Sequence, residues 1–232
     1  MRMRIAGAVL PLAILLSSSG WASSLSVLPI TVAVPQPANI GTLTLRNREE
    51  RPLNAQVRVF RWTQVDGEDK LEPTSDVVAS PPIVTISPGA DYVVRLQRTA
   101  SAEVTGEEAY RTVVDELPNP NRQRNGTVAI VVRYLVPTFF LSSDASQPRL
   151  TWSLSRREGK TVLTATNAGD GRIRLADLKL QTASGRTLTI GRGLAGYVLG
   201  HSSHDWLAPA GASTGLVIAD SDHGPIRATL SR

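Results

Sequence analysis

Cysteine is absent from all 232 residues of the chain. Its absence excludes a disulfide-stapled scaffold, a thiolate metal site, an iron–sulfur cluster and a cysteine nucleophile. Aromatic residues are scarce at 5%, and charged residues amount to 19%. Long apolar runs are also rare. The stretch Ile5–Leu16 falls short of the ~20 residues that a helix needs to cross a bilayer. No Gly-x-Ser-x-Gly elbow stands on a strand-to-helix turn, and no convergent His/Asp/Ser cluster is evident, so no enzymatic activity is expected.

What is present is a core-forming share of apolar residues, 41%, which excludes intrinsic disorder. The length allows one or two domains at ~100–200 residues each. Basic residues outnumber acidic ones, 25 to 20, giving a net charge of +5 and a pI near 10.1. Nucleic-acid binders share that balance, so the placement of the charge decides. Arg2 and Arg4 precede the apolar stretch, and small and polar residues follow it to Ser24. This is the order of a secretory signal peptide, residues 1–22, with cleavage expected after Ala22. Cleavage would lower the basic excess by two. No Lys/Arg stripe with interleaved aromatics remains, so neither nucleic-acid binding nor membrane insertion is expected.

Beyond residue 24 the chain reads as strands. Thr42–Leu45 and Ala55–Trp62 alternate, Asp66-Gly67 marks a turn, and Ile83–Ile86 follows Ser80-Pro81-Pro82. Ser87-Pro88-Gly89 is a type II turn signal, because proline sets φ and glycine accepts φ > 0. Tyr92–Leu96, Arg111–Leu117 and the long Val128–Phe140 continue the series. Ser, Asp, Ala, Gln and Pro cluster at 142–148, which reads as a linker between a first domain, 23–141, and a second, 149–232. The second again alternates, at Leu150–Leu154, Thr161–Thr166, Ile173–Leu180, Thr187–Ile190, Gly215–Ile218 and Ile226–Leu230. Two all-β sandwiches fit this spacing.

One strand is too apolar for an ordinary place. Thr127–Val132 shows little polar alternation. Buried on both sides, it is a central strand; left at an edge, it is a surface for β-strand addition to a partner. Both readings are open on the residues alone. Val128, Ile130 and Val132 form one of its faces, Ala129 and Val131 the other.

The run Glu108-Ala109-Tyr110-Arg111-Thr112-Val113-Val114-Asp115-Glu116-Leu117-Pro118 resembles the signature strand of periplasmic pilus-assembly chaperones. Ser80-Pro81-Pro82, Ser87-Pro88-Gly89, Val94-Arg95-Leu96 and Arg133–Phe139 fall in that family's order and spacing. Phe60-Arg61-Trp62, Gly196-Tyr197-Val198-Leu199 and the lack of disulfides are most similar to its archaic chaperone–usher branch. The resemblance implies two immunoglobulin-like domains in an L-shaped arrangement, a periplasmic location and no cofactor. It implies pilus or fimbrial subunits and an outer-membrane usher as partners, with a self-capping homodimer of the free chain left open. It also implies donor-strand complementation, in which Val128, Ile130 and Val132 enter a subunit that lacks its last strand.

Within the resemblance, a cation holds the subunit's C-terminal carboxylate. Thr31 and Leu135 occupy the family's usual basic positions, so the nearest replacement is Arg111, with Arg133 second. An ion pair of Arg111 with Asp115 or Glu116 is the competing reading. Glu116 matches an acidic residue that helps set the angle between domains, with Asp222 as an indirect neighbour. Thr99–Glu107 takes the place of a mobile loop. The alternative overall reading is a secreted two-domain structural or ligand-binding surface protein. His201, His204 and His223 suggest a metal site only superficially, since Gly200 favours a loop there, and no metal is expected.

Overall fold

The computed structural model describes residues 25–118 and 131–230. The expected signal peptide and the donor positions Val128 and Ile130 lie outside them. The described residues form eighteen strands and no helix, so no helix is long and apolar enough to cross a membrane. The first ten strands are β1 (Leu25–Leu28), β2 (Val32–Pro35), β3 (Ile40–Asn47), β4 (Leu53–Val65), β5 (Glu68–Pro73), β6 (Val77–Ser80), β7 (Ile83–Ile86), β8 (Asp91–Arg98), β9 (Glu107–Leu117) and β10 (Arg133–Leu141). They build two sheets, ordered β1-β3-β8-β6 and β2-β10-β9-β4-β5, with β7 on β4.

Period-2 alternation explains the packing of these sheets. Leu43, Leu45, Val94 and Leu96 of one sheet face Val57, Tyr110, Val114, Val136 and Phe140 of the other, all essentially buried. Gly41 permits a close approach, since a Cβ there would lie 2.6 Å from Val32. The turn expected at Ser87-Pro88-Gly89 is present: Gly89 has φ 67°, and the Ala90 N–H donates to Ser87 O at 3.1 Å. Thr99–Glu107, expected as a loop, is tied to the fold at two points. Val104 is buried in the core, and the Thr99 N–H donates to Asp76 O at 2.7 Å.

The second set comprises β11 (Leu150–Arg157), β12 (Lys160–Asn167), β13 (Ile173–Thr182), β14 (Thr187–Thr189), β15 (Leu194–Val198), β16 (Ser203–Leu207), β17 (Gly215–Ser221) and β18 (Ile226–Thr229). Its sheets run β11-β12-β16 and β14-β13-β17-β18, with β15 on β13, around Trp152, Leu163, Leu175, Leu180, Val198 and Val217. Both sandwiches use one device. A buried asparagine ends a strand and binds the loop that follows: Asn47 donates to Arg51 O at 2.6 Å and Ile86 O at 3.0 Å, and Asn167 donates to Gly171 O at 2.8 Å and Leu199 O at 3.1 Å. Each side-chain amide thereby satisfies carbonyls that the end of the ladder leaves open.

A third cluster joins the two sets: Trp62, Ala109, Phe139, Tyr197 and Leu199. Trp62 meets Tyr197 edge-on with ring centroids 5.4 Å apart. Gln64 adds three bonds across the joint, donating to Tyr197 O at 2.8 Å and accepting from the Leu199 N–H at 2.9 Å and Ser202 Oγ at 3.4 Å. Gly67, in the β4–β5 turn at φ +80°, accepts from the Asp205 N–H at 3.0 Å; any Cβ there would collide with the Asp205 side chain at 2.3 Å.

Candidate functional site

Alternation assigns the two faces of the β10 sheet. Tyr110, Val114, Val136 and Phe140 point into the first core. Arg111, Val113 and Asp115 of β9, with Arg133, Leu135 and Pro137 of β10, therefore share the opposite face. Starting from the joint, the rows across β10, β9 and β4 are Pro137–Arg111–Phe60, Leu135–Val113–Arg58 and Arg133–Asp115–Gln56. Leu135 is 53% exposed and Val131 47%.

Among the described residues, no strand pairs with the edge of β10 beside these rows. On its far side from β9, β10 pairs with β2 only from Thr138 to Leu141. The Glu116 N–H donates to Val132 O at 2.9 Å, which makes Val132–Glu116 a bonded pair. In an antiparallel ladder bonded pairs alternate, so the peptide groups of Arg133 and Leu135 point to the open edge. Pro137 has no N–H, so an added strand loses its donor there. Val132 is half-buried on the side that Tyr134 turns toward the first core, so the donor face expected at Val132 points inward, and Val131 shares the exposed face of Leu135.

Arg111 is held but poorly matched. Its guanidinium stacks 3.6 Å from the centre of the Trp62 ring and 5.5 Å from that of Tyr197, with 17% of the side chain exposed. The neighbouring carboxylate is Asp69 at 4.0 Å, neither Asp115 nor Glu116. Burial lowers the Arg111 pKa from the ordinary guanidinium value, and Asp69 and Tyr197 offset only part of that. Asp69 itself accepts from Gln64 Nε2 at 2.8 Å and lies 3.8 Å from His204 Nδ1. Burial likewise lowers the His204 pKa, against the pull of Asp69 and Asp205.

Arg133 is in the opposite condition. Its Nε donates to one Asp115 oxygen, while Arg58 Nη2 donates to the other at 2.6 Å. Burial pushes the Asp115 carboxyl up, but the bonds from Arg133 and Arg58 outweigh it and hold the group below the usual carboxylate range.

Glu116 is not brought to the second sandwich. It stands opposite Ala55 and Val132, at the end of β9 remote from the joint. An acidic residue of the same strand that does span the joint is Glu107, at its other end, roughly 30 Å away at ~3.3 Å per residue. It accepts from Arg172 Nη1 and, at 3.1 Å, from the Arg172 N–H. Burial raises the Glu107 pKa in spite of that arginine, whose guanidinium also lies 3.7 Å over Phe139. Asp222 accepts from the Arg174 N–H at 2.9 Å. Gln64, Asp69 and Glu107 carry no signature that separates them from other polar strand residues, so sequence reasoning passed over them. Phe60-Arg61-Trp62 and Gly196–Leu199 were visible as motifs, and they meet at the joint.

His201 pairs with Asp170 at 2.6 Å, whereas His204 packs against Trp206 with ring centroids 4.6 Å apart. Among the described residues no group of His, Asp or Glu side chains is arranged to hold a metal ion.

Residues 24–143 match the family described as pili and flagellar-assembly chaperone, PapD N-terminal domain. No curated protein sequence matches the chain. Among solved structures, the chain is similar to one from the CsuC–CsuE chaperone–tip adhesion subunit pre-assembly complex of the archaic chaperone–usher Csu pili of Acinetobacter baumannii. The TM-score is 0.73 at 24% identity, covering 90% of this chain and 97% of that one. The YadV chaperone gives a TM-score of 0.67 at 19% identity, over 89% and 100% of the two chains. A chain from the Salmonella enterica SafA pilin–SafB chaperone complex gives 0.66 at 17% identity, over 91% and 99%. These likenesses extend through both sandwiches and establish the two immunoglobulin-like units as the fold.

Proposed function

The chain belongs to the family of PapD-like pili and flagellar-assembly chaperones, and we propose that it captures pilus subunits in the periplasm by donor-strand complementation and hands them to an outer-membrane usher. The observation that supports this reading is the edge of β10 at Arg133–Pro137, which no described strand covers, next to a mostly buried arginine whose nearest described carboxylate is 4.0 Å away. A subunit lacking its last strand exposes an apolar groove and an unpaired backbone edge. An added strand satisfies those backbone groups, and each aliphatic side chain fully buried in the groove contributes roughly 1.5–3 kcal/mol. No bond is made or broken, so the work requires neither a catalytic group nor a cofactor.

In this reading the exposed face of the strand, with Val131 and Leu135, enters the groove, while Val132 turns with Tyr134 toward the chain's own core. The subunit's terminal carboxylate reaches Arg111, which offers a planar fork and keeps its charge even when buried. Pro137 limits how far the pairing runs toward the joint, which helps set the register. Arg133, already bonded to Asp115, serves the sheet rather than the ligand. The test is co-expression with the subunit encoded beside it, followed by isolation of a one-to-one complex from periplasmic extract. Val131→Asp combined with Leu135→Asp, both side chains exposed in the free chain, is expected to abolish the complex while the chain stays folded; an undiminished complex would refute the donor assignment.

A further inference from the structure

Asp69 stands where a ligand's carboxylate would come, yet it does not close on Arg111. The two are 4.0 Å apart, while Gln64 Nε2 holds Asp69 Oδ1 at 2.8 Å. Gln64 is in turn fixed to Tyr197 O and the Leu199 N–H of the second sandwich. The joint therefore restrains Asp69 short of the ~2.7–2.9 Å that a charge-assisted bond to a guanidinium adopts. Trp62 covers one face of the guanidinium, and among the described residues it makes no hydrogen bond. The charge is stabilised, but its donors are not saturated.

We propose that Asp69 is a resident carboxylate, tethered by Gln64 to the joint, which keeps Arg111 oriented in the free protein and weakens its hold on an incoming terminal carboxylate. This rests on the reading of Arg111 as the anchor. An unrestrained terminal carboxylate can form the close paired bonds that Asp69 cannot. It then enters the field of a second negative charge only a few ångströms away, and like charges at that separation oppose one another. Asp69 thus sets a ceiling on affinity, which suits a partner that must later be released. Arg111→Ala and Asp69→Asn should move binding in opposite directions.

The probe is the peptide acetyl-Val-Thr-Val-Thr with a free C-terminal carboxylate, compared with its C-terminal amide. Each is titrated into the full chain, with NMR of the Trp62 indole and the arginine side chains as readout. The expected result is tighter binding of the acid than of the amide, a preference that disappears in Arg111→Ala. Asp69→Asn should strengthen binding of the acid about three- to tenfold and leave the amide unchanged, with Asp69→Ser agreeing in direction. If Arg111→Ala removes the preference but neither Asp69 variant tightens the acid, the resident-carboxylate proposal is overturned and the anchor stands. A preference that is absent, or that survives Arg111→Ala, overturns the anchor and this proposal together.

Discussion

Arg111 and Arg133 stand on one face of one sheet, two rows apart, and their surroundings differ in kind. Arg133 is 62% exposed and bonded to a carboxylate that Arg58 also serves. Arg111 is 17% exposed, lies against an aromatic ring, and has a carboxylate only at 4.0 Å. A charge that is neutralised within the sheet contributes to the sheet. One that is desolvated, oriented and left short of a close partner retains binding capacity for something else. The comparison teaches that the environment of an arginine, more than its place in a motif, marks an anion site.

The sharpest way to break the comparison is to delete each arginine in turn. Arg111→Ala is expected to weaken subunit binding by roughly 10–100-fold, the ~1.5–3 kcal/mol of a hydrogen bond to a charged group. Arg133→Ala should change it less than about threefold. Titration of purified subunit complexes by competition would rank the two, and equal losses would erase the distinction.

A second contrast concerns the carboxylates. Asp115 is 13% exposed with two arginine partners, whereas Asp69 is 41% exposed beside a distant one. Asp115→Asn should cost about 1–3 kcal/mol of folding stability, because two guanidinium groups lose a charged acceptor. Asp69→Asn should cost under about 0.5 kcal/mol. Urea midpoints measure both.

A smaller effect is expected at Trp62. Trp62→Leu keeps an apolar residue in the joint but removes the ring beneath Arg111, an attraction of about 0.5–2 kcal/mol. Subunit affinity should fall several-fold while Arg133-dependent stability stays constant. The smallest and most local effect is one of pH. The folded pKa of Asp115 lies below its ordinary value of 3.8. Its contribution is therefore present above that value and lost as the pH falls through the depressed folded one. The stability gap between the parent chain and Asp115→Asn should narrow as the pH drops from about 5 toward 3, followed by urea melts at each pH.

Much of the architecture was legible from local pattern. Leu43 and Leu45 alternate with threonines, and Ser87-Pro88-Gly89 has the chemistry of the turn it forms, so both were readable within a few residues. The signature run Glu108–Pro118 was identifiable too, but the acidic residues on and beside it were not separable. Glu107 and Glu116 look alike in a period-2 pattern; only the position of the second sandwich puts Arg172 against the first, while the pairing of β4 sets Ala55 opposite the second. Asp69 was invisible for a similar reason: an exposed hairpin aspartate acquires meaning when Gln64 and Arg111 are folded next to it.

Strand pattern, turns and the all-β class follow from interactions between near neighbours, where side-chain alternation and backbone preference act over a handful of residues. Cysteine, whose absence ruled out so much chemistry, also had to be made up for by packing, and the two apolar cores were present in the composition. Which cation stays unsatisfied was settled elsewhere. Desolvation and charge pairing depend on groups far apart in the chain, Trp62, Asp69, Arg111 and Tyr197 among them, and these become neighbours only when two sandwiches close upon a shared joint.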